Sequence, residues 1–130
     1  MTQTHQIKVA DGHGAGAWMK ERLTSLVLVP LGLWGLWSAA ALSDAGYDGA
    51  LAWIGRPLNA GLLVLTLLVT AWHVHLGVRV IVEDYIHRQG AARALLLANT
   101  LFCLLLAAAG VFFIVRMALG SAPLSAGLGV

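Results

Sequence analysis

Three stretches of the chain are apolar at most positions. Leu23–Leu42 reads LTSLVLVPLGLWGLWSAAAL and carries no charge, and Ala94–Val115, ALLLANTLFCLLLAAAGVFFIV, carries none either. Between them, Pro57–Val82 is longer and holds His73, His75 and Arg79 inside its apolar run. At 1.5 Å per residue, twenty residues of helix reach roughly 30 Å, the thickness of a hydrocarbon core. A helix is the only open-ended way to satisfy backbone groups in lipid. The pattern therefore predicts an all-α integral membrane protein with three transmembrane helices, over about 23–43, 57–83 and 94–117. Short connections join them into one anchor domain over residues 23–119. Residues 1–22 form a mixed polar arm, too long and too polar for the leading region of a signal peptide, and Ser43-Asp44 is a poor cleavage site. The end, 120–130 (GSAPLSAGLGV), is expected to be a flexible tail without assigned function.

Composition agrees. Of 130 residues, 59% are hydrophobic and 11% charged, against about 25% charged in a soluble domain. Mean hydropathy is +0.82. The net charge of +2 is small and its basic residues form no run, so nucleic acid is not an expected partner. The single cysteine, Cys103, excludes an internal disulfide and reads as a buried space-filler. There is no CxxC or HExxH pattern.

Lys and Arg near the helix ends predict orientation. Lys8, Lys20 and Arg22 precede the first span, and Arg79, Arg88 and Arg93 cluster at the end of the second. The opposite side has Arg56 and Arg116. The arm and the loop Glu83–Arg93 are therefore expected in the cytoplasm, with the chain end outside. Trp18 and Trp53 lie near the two boundaries, whereas Trp34, Trp37 and Trp72 lie deeper, against helices or lipid.

The second span carries the candidate chemistry in HVHLGVRVIVEDYIH, His73 to His87. At about 100° per residue, Gly77 lies about 40° from His73, Val80 about −20° and Asp84 about 20°. These four share one stripe. His75 and Arg79 form an i, i+4 pair on another face. Asp84 is eleven residues beyond His73, so His73 sits roughly 16 Å deeper. A histidine at that depth faces the bundle interior or a cofactor. Its neutral ring is a metal ligand, and Gly77 one turn on leaves room for a flat group such as haem. Spacing alone favours a plainer reading, a histidine bonded to a neighbouring helix with Gly77 as a packing glycine. Arg79 either snorkels to the nearby surface or pairs with a propionate, a quinone oxygen or a partner's carboxylate. Unpaired, it costs about 2.5–3.5 kcal/mol on insertion scales. Glu83, Asp84, Tyr85 and His87 either relay protons and bond a carbonyl at the membrane rim, or form an ordinary charged helix end.

This spacing, His-(x)3-Gly-(x)6-Asp-Tyr, resembles the second helix of the hydrophobic membrane anchor subunit of bacterial succinate dehydrogenase, the smaller of its two cytochrome b anchors. WMKERLTSLVLVPLGLW, Trp18 to Trp34, is similar to that family's arm and first helix, where Arg-x-Thr-Ser/Ala precedes an apolar run with an early proline. The likeness covers nearly the whole chain.

The resemblance implies more than the spacing does. It implies a second anchor of three helices, packed with this chain as a helical bundle and sharing one b-type haem. His73 would be one axial ligand of the haem iron and the second anchor would give the other. Tyr85 would bond a ubiquinone carbonyl, Asp84 would serve that site and its protons, and Arg22 would lie near the haem propionates and the quinone pocket. Succinate oxidation would belong to a flavoprotein subunit, with an iron–sulfur subunit passing electrons to quinone at the inner membrane of a bacterium. The chain alone would be no enzyme. Arg79 and the extra His75 depart from the pattern. Two alternatives remain: an anchor for fumarate reductase or another quinone-linked dehydrogenase, and a cofactor-free membrane protein with a structural, assembly or transport role.

Overall fold

The computed structural model describes residues 13–120, which are helical almost throughout. Four helices follow in order: α1 (His13–Leu42), α2 (Gly46–Ile54), α3 (Pro57–Tyr85) and α4 (Gln89–Ala118). Three of them, α1, α3 and α4, are long and apolar enough to cross a membrane. They correspond to the three predicted spans.

The boundaries differ from the predicted ones. α1 begins at His13, so much of the arm predicted over 1–22 is helix, and its first twelve residues lie outside the described residues. The segment from His13 to Arg22 contains no proline. Nothing in it halts a helix that the apolar run beyond it propagates. Thr24 and Ser25 turn their hydroxyls back onto carbonyls of the preceding turn. α4 likewise starts at Gln89, five residues before its apolar run, and the loop predicted over Glu83–Arg93 shrinks to residues 86–88. The predicted tail lies outside the described residues except for Gly120, whose φ of 63° takes the chain out of the helical region.

The connection after the first span contains α2, which the sequence pattern did not predict. It is nine residues long and holds two glycines, too short to betray a period. Tertiary contacts hold it: Trp53 stacks on Trp34 of α1 at 5.7 Å between ring centroids. The Asn59 side-chain amide donates to the Trp53 carbonyl at 2.9 Å. Arg56 is extended and Pro57 opens α3, where a fixed φ suits the first turn and its missing N–H is not needed.

α3 is the central helix. It packs along α4 and along α1, whereas the backbones of α1 and α4 do not approach each other closely among the described residues. The three long helices therefore stand in an open row. Among the described residues, buried apolar side chains are few, namely Leu31, Leu76, Val82 and Cys103. In lipid an exposed leucine carries little penalty, and helices associate through close packing and polar bonds. Both occur between α3 and α4. Gly110 admits the Leu67 side chain against its backbone, and buried Asn99 reaches His75.

Candidate functional site

α3 runs unbroken from Pro57 to Tyr85, so the stripe of His73, Gly77, Val80 and Asp84 lies on one continuous surface. The two histidines point to different neighbours. His73 is half-buried against α1, its Nδ1 2.9 Å from the Thr24 hydroxyl. His75 is half-buried against α4, its Nδ1 3.1 Å from the Asn99 side-chain nitrogen.

The partners fix the proton on each ring. The same Asn99 nitrogen lies 3.1 Å from the His75 carbonyl. A carbonyl only accepts, so that amide atom is the donor. His75 Nδ1 then accepts from it, and a neutral His75 ring carries its proton on Nε2. The Asn99 oxygen takes the Cys103 thiol at 3.6 Å, so the cysteine expected as a space-filler is buried and also touches this clamp.

His73 has the opposite arrangement. The Thr24 hydroxyl lies 2.9 Å from the Lys20 carbonyl and 2.9 Å from the Glu21 carbonyl. Its one proton satisfies these acceptors, and its oxygen then accepts from His73 Nδ1–H. His73 Nε2 keeps its lone pair, and it has no hydrogen-bond partner among the described residues. An axial metal ligand requires this tautomer. Space beside the stripe is also available: a Cβ added at Gly77 meets nothing within 4 Å. The residues present thus fit an axial imidazole with room for a planar group one turn on. Among the described residues no group of three or more His, Cys, Asp or Glu could enclose a metal. A single imidazole shared with another chain makes no such group.

At the end of α3, Asp84 and Tyr85 are exposed, Tyr85 at 76%. Neither side chain has a hydrogen-bond partner among the described residues. Helix α3 stops there because Ile86 is extended; its N–H closes the last turn onto the Val82 carbonyl at 3.0 Å. Arg79, open in the sequence between snorkelling and an external partner, pairs within its own helix instead: its Nε donates to Glu83 at 2.7 Å. Both side chains are about half exposed, at 54% and 51%.

Arg22 is not brought to His73. It follows Trp18 by one turn and holds its guanidinium 5.2 Å from that ring. It stands two positions before Thr24, about 200° around α1. Lys20, about 40° from Thr24, lines the α1–α3 groove with Thr24, Val69 and Trp72 instead. Sequence reasoning singled out neither Thr24 nor Asn99 as functional. Thr24 lay in the Arg-x-Thr-Ser element of the resemblance without a role attached to it, and the only signal for Asn99 was a polar side chain inside an apolar run.

A family model for the succinate dehydrogenase/fumarate reductase transmembrane subunit matches residues 2–117. The chain belongs to that family. Within this anchor family, the chain is 26% identical to the succinate dehydrogenase hydrophobic membrane anchor subunit of Rickettsia felis over 112 residues, 86% of this chain and 91% of the relative. The corresponding Rickettsia bellii subunit is 29% identical over 92 residues, 71% of this chain and 74% of the relative. No solved structure matches. Family membership and three apolar helices together make this a multi-pass membrane protein.

Proposed function

We propose that this chain is the hydrophobic membrane anchor of a succinate:quinone oxidoreductase. In this reading it shares a b-type haem with a second anchor subunit and contributes to the ubiquinone-reduction site. The observation that carries the proposal is the contact of His73 Nδ1 with the Thr24 hydroxyl, which leaves Nε2 without a partner among the described residues, next to open space at Gly77, in a chain of the anchor family. A b-type haem bound there supplies a one-electron store near the quinone. His73 offers Nε2 to the iron, and its Nδ1–H holds the ring in one plane through Thr24. Tyr85 presents an unengaged hydroxyl to a quinone carbonyl. Asp84, one residue earlier and on the His73 stripe, holds or moves the protons that quinone reduction consumes. Arg22 is assigned to the neighbourhood of the propionates and the quinone pocket on the family resemblance alone, because its guanidinium stands over Trp18 on the far side of α1 from Thr24.

The chain does not oxidise succinate itself. A flavoprotein subunit does so, and an iron–sulfur subunit carries electrons to the quinone at the cytoplasmic face of the bacterial inner membrane. The N-terminus lies on that face, as the Lys and Arg distribution supports.

The test is a reduced-minus-oxidised spectrum of the complex purified in mild detergent. A b-type band should be present, should vanish in His73→Ala and should survive in His75→Ala, because the His75 nitrogens are committed to Asn99 and to a proton. A band lost in His75→Ala and retained in His73→Ala would sink the assignment.

A further inference from the structure

The contact between α1 and α3 carries an inference about the outer side of the His73 ring. Thr24 is forty-nine residues from His73 in sequence, yet its hydroxyl oxygen lies 2.9 Å from His73 Nδ1. The same oxygen lies 2.9 Å from the carbonyls of Lys20 and Glu21. A hydroxyl has one proton and two lone pairs. If that proton went to His73, neither carbonyl contact would be a hydrogen bond. With the proton on the carbonyl side, Nδ1–H donates to the oxygen and all the groups are used. A threonine in a helix commonly turns its hydroxyl onto the carbonyls three and four residues back, so the acceptor lone pair is held in place before the ring arrives.

We propose that Thr24 is a positioning residue for His73: its hydroxyl accepts Nδ1–H, fixes the tautomer with Nε2 free and sets the donor strength of the ring. The inference rests on the reading of His73 as a haem ligand. A histidine ligand whose other N–H is hydrogen-bonded is held in orientation and is more basic. A more basic axial ligand favours ferric over ferrous iron, so Thr24 lowers the midpoint potential of the haem. Thr24→Val keeps the shape and removes the acceptor, and Thr24→Ser keeps the acceptor and removes the methyl. The potential should therefore rise in Thr24→Val and stay near the native value in Thr24→Ser. Loss of one ordinary hydrogen bond shifts the ferric preference about fivefold, or about 40 mV at 59 mV per tenfold change for one electron.

The experiment is a redox titration of the b-type band in the intact complex carrying each variant. A raised potential in Thr24→Val with a native one in Thr24→Ser supports the role. So does loss of the band in Thr24→Val with retention in Thr24→Ser. An unchanged potential in Thr24→Val overturns it, as does an equal change or equal loss in both variants, which would mark Thr24 as a packing residue. Absence of the band from the native complex is a separate outcome: it defeats the haem reading itself, and the role of Thr24 with it.

Discussion

His73 and His75 are two residues apart, and their partners give them opposite capacities. Asn99 donates to His75 Nδ1 and to the His75 carbonyl, so this ring has no free lone pair while neutral. Thr24 accepts from His73 Nδ1 and leaves Nε2 available. Asn99→Ala removes the donor and should weaken the α3–α4 contact by about 0.6–1.7 kcal/mol, the range for interhelical hydrogen bonds in membranes. The measurement is the unfolding midpoint of the complex in a mixed-micelle titration; the b-type band should be unchanged before unfolding. Tyr85 shows a different logic. Its hydroxyl bonds nothing among the described residues and its ring is largely exposed, so Tyr85→Phe should cost no stability. Quinone reduction should fall by about tenfold, the worth of one hydrogen bond near 1.4 kcal/mol. Succinate oxidation by an artificial dye should persist, and equal loss of both activities would make Tyr85 an assembly residue instead.

The helices differ in how much of themselves the chain announced. Apolar runs marked α1, α3 and α4, because about twenty consecutive apolar residues have few fates other than a span. Their ends were less legible. Polar residues such as Lys20, Glu21 and Gln89 continue a helix without leaving an apolar trace, so α1 and α4 extend past the boundaries the runs predicted. α2 left no period at all; its place depends on the stack of Trp53 on Trp34. Trp53→Ala should loosen α2 by about 0.5–1.5 kcal/mol from the aromatic pair. Faster backbone hydrogen exchange confined to Gly46–Ile54 would report it. Between α3 and α4, Gly110 lets the helices approach at Leu67. Gly110→Val should force Leu67 aside and destabilise the pair by about 1–3 kcal/mol, again visible as a lower unfolding midpoint.

The open row of long helices bears on what the molecule needs around it. α3 has α1 on one side and α4 on the other, and the described residues leave open space beside Gly77. In the proposed complex a second anchor closes that space and gives the other ligand to the haem. Purification in mild detergent should therefore bring down a flavoprotein, an iron–sulfur protein and a second membrane subunit with this chain. Recovery of a stable chain alone, from a fraction without succinate–quinone activity, would argue for the cofactor-free alternative.

The sequence by itself determined the three spans, the stripe from His73 to Asp84, and Tyr85 at the helix end, because apolar run length and a 3.6-residue period are local properties of the chain. It also contained the Arg79–Glu83 spacing, an i, i+4 relation as readable as that of His75 and Arg79. Only the tertiary structure decided which partner each histidine ring meets. Thr24 reaches His73 across forty-nine residues and Asn99 reaches His75 across twenty-four. A hydrogen bond between helices depends on how they pack, and no periodicity within one helix carries that information.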